Sequence, residues 1–333
     1  MGVPLHVVGA DACVTKRGGR LVVVRDQRVV HSMPLLRLSE LVLHGAVGLT
    51  THAMHALLDA GVPVVLLRRD GRARGRLEPP GSPHAQLRQI QLVDSLDARR
   101  RVMLARSIVG GKIHNQRALL HRRSRGRSGD PNVVAAVRRL REMESRCPAA
   151  ETVEELLGLE GAAGAAYFGL LRRLLPDDLG FRRRDRRGHD IFNALVNYCS
   201  ALLRESVIGA IAETGLDPHL SHLHVPMRGR PTLAFDLMEE WRPAMVESNV
   251  LALLGLRTVR PEHLVSTAKG PRLTDDARAA AINRFQDRLG SVASTWPPRG
   301  YSTTYGEQLR TQAASYSAWV QRRAEVYQPF QWR

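Results

Sequence analysis

Three acids and one histidine in this chain stand in settings that suit a hard cation. Glu160 opens the run Glu160-Gly161-Ala162-Ala163-Gly164, which leads to Tyr167-Phe168. His224 closes His219-Leu220-Ser221-His222-Leu223-His224, and Asp236 and Glu239 lie in the apolar stretch from Leu233 to Trp241. Two carboxylates and an imidazole can ligate one hard divalent cation, Mg2+ or Mn2+, leaving positions open for substrate oxygens. On a helix, Glu160, Gly164 and Tyr167 share a face, and the small residues let another helix or a substrate approach closely. Asp236 and Glu239, at i and i+3, also share a face and repel unless a cation separates them or one is protonated. Plainer readings stand beside these. Glu160 suits the positive start of a helix, and the two acids can pair with Arg230 or Arg242. His219, His222 and His224 can be read as a zinc site, so a zinc hydrolase is an alternative. No cysteine accompanies them, and the nearby acids suit a harder metal.

The rest of the chain is basic. Its 333 residues carry 49 Lys plus Arg against 32 Asp plus Glu, a formal net charge of +17. Such an excess is either a solvated Arg-rich surface or the footprint of a polyanion partner, whose condensed counterions are released on binding. Arg outweighs Lys, which suits bidentate phosphate contacts. Cys13, Cys147 and Cys199 are far apart and form no CxxC pair, which argues against a disulfide framework and for a reducing cytoplasm. No charge-free apolar stretch of ~20 residues and no signal-peptide pattern is evident, so no membrane span is expected.

The length predicts two domains. Short β-branched runs at Leu5–Val8, Ala12–Thr15, Arg20–Val24, Arg28–Val30, Leu41–Leu43 and Val62–Leu67 are punctuated by Gly18-Gly19 and Asp26-Gln27. Their close spacing predicts antiparallel pairing. A short helix is expected from Thr51 to Ala60, stopped by Gly61. From Leu87 onward the pattern is helical, broken at Gly126–Gly129, Pro148, Pro176, Pro218 and Pro297-Pro298. The fold class is therefore α+β: a small antiparallel β domain (residues 1–75), a basic linker (76–90) and a larger all-α catalytic domain (91–333).

These residues bring the chain into resemblance with the CRISPR-associated adaptation endonuclease/integrase family. The carriers are Lys112-Ile113-x-Asn115-Gln116, Glu160-Gly161 through Tyr167-Phe168, Asp190 with Asn193-Ala194-Leu195, Gly215-Leu216-Asp217-Pro218 and Leu223-His224. Gly229-Arg230-Pro231 through Glu239 and Tyr327-x-Pro329-Phe330 complete the set. The chain departs from the family pattern at Ser221-His222, at Arg187-Gly188-His189 and at Gly164, none of them a proposed ligand.

The resemblance implies that Glu160, His224 and Glu239 hold Mg2+ or Mn2+, with Asp236 as an assisting acid. It implies metal-dependent transesterification that inserts the 3′-OH ends of prespacer DNA into a CRISPR repeat, with associated nuclease activity. A catalytically idle DNA-binding scaffold of the same fold is the alternative within the family. The implied partners are duplex DNA with single-stranded 3′ ends, a second copy of the chain through the β domain, and a small second adaptation protein in a heterohexamer. Candidate DNA contacts are Arg68, Arg69, Arg72, Arg74, Arg76, Lys112, Arg117, Tyr167, Arg182, Arg183, Arg184, Arg186, Arg187 and Arg242.

Overall fold

The protein is described here by a computed structural model covering residues 3–71, 73–78, 84–268, 270–293 and 303–333. Arg72, part of the expected linker and the Pro297-Pro298 break lie outside the described residues.

The N-terminal part is built on strands β1 (Val3–Val8), β2 (Ala12–Arg17), β3 (Arg20–Arg25), β4 (Arg28–Pro34), β5 (Leu38–His44) and β6 (Gly48–Leu49). Helix α1 (Thr51–Asp59), β7 (Val64–Leu67) and β8 (Ala73–Leu77) complete it. The turn signals act as expected: Asp26 and Gln27 take positive φ between β3 and β4, the backbone that a tight hairpin needs. Antiparallel pairing holds for β2–β3–β4 and for β7–β8.

It does not hold throughout. β1 and β7 both pair with β5 in parallel, and β2 pairs with β6 in parallel. The reason is burial. The β2–β4 meander goes to a second sheet, so β1 meets β5 rather than its sequence neighbour. Leu41–His44 are buried without alternation, as strands covered on both faces must be. Val14, Leu21, Leu41, Leu43, Ala53, Leu57 and Val64 form the core between the layers. β8 runs to Leu77, two residues into the expected basic linker.

Ten helices in all are described. Beyond α1 come α2 (Ala85–Leu96), α3 (Ala98–Arg123), α4 (Pro131–Arg146), α5 (Val153–Leu174), α6 (Ile191–Thr214) and α7 (Thr232–Met238). A π-helical stretch (Arg242–Glu247) leads into α8 (Ser248–Gly255); a hairpin of β9 (Leu264–Thr267) and β10 (Gly270–Leu273) precedes α9 (Asp275–Gly290) and α10 (Tyr305–Val320). That hairpin is the one strand feature described in a part read as all helix. α6 is long and apolar enough to cross a membrane by composition alone, yet two thirds of its apolar window is buried, which makes it the central core helix. Asp190 caps its first turn through Asn193 N, and Gly215 ends it with positive φ.

The two parts meet through a buried polar chain. Gln286 Nε2 lies 2.6 Å from His6 Nε2, His6 Nδ1 lies 2.9 Å from His44 Nε2, and His44 Nδ1 lies 3.0 Å from the Tyr198 hydroxyl. One neutral tautomer on each ring satisfies every link. Burial pushes His6 down to about 4; burial, then the charges of His6 and Arg278, push His44 down to about 3. In the unfolded chain both take up a proton near 6.5, so their contribution to stability is complete above that value. It is lost as pH falls toward the folded values. Burial raises Glu40 to about 7, against the charge of Arg76, and that carboxyl acts in the opposite direction. The measurement is therefore a difference: His44→Asn should flatten the fall of the urea-unfolding free energy from pH 7 to 5 by about 1 kcal/mol per pH unit. An unchanged slope would mean that His44 does not titrate on unfolding.

Candidate metal and nucleic-acid site

Glu160, His224 and Glu239 come from three different elements and line one cavity of about 810 Å³. Glu160 projects from α5, Glu239 stands just beyond α7, and His224 sits in the loop between α6 and α7. Lys112 of α3 reaches in from the fourth side. Its Nζ donates to Glu160 Oε1 and lies 2.5 Å from Glu239 Oε2. That Glu239 oxygen is buried and off the line of a good hydrogen bond. Among the described residues, no three His, Cys, Asp or Glu side chains form a ready-made cation cage. An ammonium occupies the space between the two carboxylates instead.

The electrostatics follow from this crowding. Burial opposes the charge on Glu239, but Lys112 and Arg242 outweigh it and hold the carboxyl well below its usual range. Burial likewise opposes the charge on Lys112, and Glu239 and Glu160 overcome it. Arg242 lies 3.7 Å from Glu239 and 4.0 Å from Glu247. Both Arg242 and Glu247 belong to the π-helical stretch, a distortion that recurs at functional sites because it re-aims side chains. Burial and the charge of Arg242 press Arg184 down to about 10.

Asp236 does not enter the cavity. It is fully buried, and one oxygen accepts from His224 N (3.0 Å) and lies 2.7 Å from His224 Nδ1. The other accepts from His222 N (3.0 Å) and Leu223 N (2.9 Å). One carboxylate thus fixes the 222–224 backbone and the tautomer of His224, leaving Nε2 as the ring atom able to bond elsewhere. A carboxylate behind an imidazole is the arrangement that orients metal-binding histidines. The Asp236 hydrogen bond is the largest cause of a raised His224 pKa, ahead of burial, which lowers it.

The three histidines diverge, which removes the zinc reading. His222 is buried between Asp94 (3.0 Å) and the Tyr316 hydroxyl (2.7 Å), so both its nitrogens are engaged. His219 is exposed and bonds within its own turn to Asp217. Neither lines the cavity with His224.

Of the expected DNA contacts, Arg69, Lys112, Arg184, Arg186, Arg187 and Arg242 line the cavity. Arg68, Arg74, Arg182 and Arg183 are exposed outside it. Three expectations need correction. Tyr167 is fully buried in the helical core against Phe168 and offers no face to DNA. Arg76 is bound to Glu40 at 3.2 Å and Glu78 at 2.9 Å, with Glu205 at 3.7 Å, in a cluster joining β8 and β5 to α6. Arg117 pairs with Glu144 at 2.9 Å on the far face of α3.

The structure adds Arg230, Arg204 and Arg272 to the basic wall. Asn193 and Asn197 hold the 183–187 loop: Asn193 Oδ1 accepts from Arg184 Nη1 and Asp185 N, and Asn197 Oδ1 accepts from Arg184 Nη2. The Gly face of α5 is open. A Cβ on Gly161 or Gly164 would meet nothing within 4 Å, so neither seats a neighbouring helix, and Gly164 leaves room on the cavity wall.

The remaining shared tags are structural. Asn115 Nδ2 donates to the carbonyls of Glu240 and Phe330, and Asn115 Oδ1 accepts from Trp332 N. Glu240 accepts from the Tyr327 hydroxyl and Phe330 N, while burial still pushes its carboxyl up to about 8. Phe330 stacks on Trp241 at 3.8 Å. The C-terminal stretch is thereby clamped directly behind Glu239.

A strand-rich part on a helical body, with an acid–histidine cluster in an arginine-walled cavity, defines the class. The family follows from comparison. A model of the family described as CRISPR associated protein Cas1 matches residues 5–287, and the chain belongs to that family. A Cas4/Cas1 exonuclease–endonuclease fusion of Rhodospirillum rubrum is 33% identical over 325 residues, 96% of this chain and 56% of the fusion. The chain spans 60% of a second such fusion, from Geobacter sulfurreducens. CRISPR-associated endonuclease Cas1 1 of Thermus thermophilus is 34% identical over 99% of both chains. In fold, a casposase bound to integration product is similar with a TM-score of 0.82, at 20% identity over 98% of this chain and 93% of that one. A CAS1 protein from Thermotoga maritima gives 0.79, at 20% identity over 98% and 99%.

Proposed function

We propose that the chain is a metal-dependent DNA integrase and endonuclease of CRISPR spacer acquisition. The observation that carries the reading is the meeting of Glu160, His224 and Glu239, from three elements, in one cavity walled by arginine. The names of the Cas1 endonuclease relatives and of the casposase structure point the same way.

The donor set fits Mg2+ or Mn2+: two carboxylates, one with a buried oxygen poorly satisfied by hydrogen bonding, and an imidazole whose Nδ1 is already anchored. When bound, the ion supplies Lewis-acid stabilisation of a phosphate oxygen and orients a 3′-hydroxyl. The protein's own groups do the rest. Asp236 holds His224 in place. Lys112 keeps the carboxylates together and is the group that must yield to a cation, free then to donate to phosphate. Arg184, Arg186, Arg187, Arg230 and Arg242 grip the backbone of the DNA.

In the joining reaction a 3′-hydroxyl attacks a target phosphodiester, a new diester forms, and the old 3′-oxygen departs with a proton. Water in place of the hydroxyl gives hydrolysis. The substrates on this reading are prespacer DNA with single-stranded 3′ ends and the CRISPR repeat. The working assembly is a pair of homodimers flanking a dimer of a small second adaptation protein, in the cytoplasm.

One observation favours the idle-scaffold alternative: Lys112 already neutralises the two carboxylates without metal. A joining assay separates the two. A labelled oligonucleotide with a free 3′-hydroxyl should become covalently joined to supercoiled plasmid in Mn2+ or Mg2+, with the small partner present. A dideoxy 3′ end or EDTA should stop it. Absence of joining, or joining through a blocked end, would contradict the proposal.

A further inference from the structure

A second basic groove lies on the back of α3. At about 100° per residue, Lys112 and Gln116 turn into the acid-lined cavity, while His114, Arg117 and His121 turn the opposite way. There they face α4 and Trp332 across a groove of about 1290 Å³.

Its charge is not balanced. Arg117 is neutralised by Glu144, and Arg138 lies 3.7 Å from Glu142. Arg125 and Arg141 are exposed and have no ion-pair partner among the described residues. Arg122 lies over the Trp332 ring at 3.8 Å and donates to the Arg333 carbonyl. Burial first, then Arg288 and Arg125 nearby, hold its guanidinium pKa down.

Trp332 also lines the groove. Trp332 is 2% exposed, and its Nε1–H is buried without a hydrogen-bond partner. Val134 and Val137 of α4 add an apolar strip, Val134 being exposed.

Excess guanidinium beside an apolar strip fits an acceptor-only anion strung on sugars. We propose that this groove binds the phosphodiester backbone of a nucleic-acid strand, at a site separate from the acid-lined cavity. The site does not depend on the cavity being catalytic. Guanidinium pairs match phosphate oxygens in geometry as well as charge. With both faces of α3 occupied, one strand lies at the acids and another stretch of nucleic acid is held behind them.

The test uses an oligothymidylate of about eight nucleotides, short enough to occupy one groove. Fluorescence anisotropy titration of the full chain at about 50 mM salt should give two sites. Arg125→Glu with Arg141→Glu, both on exposed side chains, should remove one of them, with at least tenfold weaker binding there and an unchanged melting temperature. Two sites surviving in that variant would overturn the proposal. So would loss of the same site in a control carrying Arg17→Glu and Arg28→Glu, exposed positions on β2 and β4. The second outcome would mean that a diffuse field, not this groove, binds the strand.

Discussion

Alanine at Glu160, His224 or Glu239 is expected to abolish metal-dependent strand joining while the fold survives. The loss should be roughly a thousandfold or more, the scale on which one preorganised electrostatic group matters in a site shielded from water. The stability changes should be unequal, and this follows from the ion pairs. Glu239 lies against both Lys112 and Arg242, so its removal takes one partner from each of two half-buried cations, leaving Lys112 to Glu160 and Arg242 to Glu247. Stranding a fully buried charge costs about 3–5 kcal/mol, and the partners left to these cations should hold the cost below that. Glu160→Ala leaves Lys112 still paired with Glu239 and should melt closer to wild type. Circular dichroism melts beside the joining assay check both statements. Full joining in any one variant would remove that residue from the ligand set.

Asp236→Asn should cut joining by about 10–100-fold, the usual cost of losing the group behind a metal-binding histidine. The amide still offers one oxygen, but its NH2 would face backbone N–H donors at 222–224. Two or more of the four bonds should be lost, destabilising the protein by about 3 kcal/mol, within the range for buried donors left unmet. Urea unfolding and turnover under saturating metal read the two effects separately. Residual activity distinguishes this positioning role from that of the three cavity residues. Wild-type stability in the variant would show that the 222–224 loop does not need the carboxylate.

How far the sequence could be read depended on how local each signal was. The division into a strand-rich part and a helical part is carried by residue pattern, whereas the grouping of Glu160, His224 and Glu239, which line one cavity, came from the family resemblance. Turns at Gly18-Gly19 and Asp26-Gln27 depend on backbone preferences of the residues themselves. Strand partners are not local. Nothing within Val3–Val8 says that β1 will pair with β5 across an inserted meander, so parallel pairing was missed.

The i, i+3 spacing of Asp236 and Glu239 suggested a shared face. The two positions lie about 60° apart on a helix, enough here to send one inward to the loop and the other to the cavity. Charge runs were the weakest guide. Arg76 is an internal ion-pair partner and Arg187 lines the cavity, although both read alike in sequence. What separates them is whether an acid such as Glu40 is folded against them. Tyr167 shows the same limit: its face on α5 is legible, but whether that face meets solvent or core is set by other helices.

The most direct measurement is an anomalous-scattering map at the manganese edge from crystals of the protein soaked in Mn2+. One peak should be shared by Glu160, Glu239 and Nε2 of His224, with the Lys112 ammonium withdrawn from between the carboxylates. A clean map at those three residues, with manganese bound elsewhere or not at all, would contradict that ligand set.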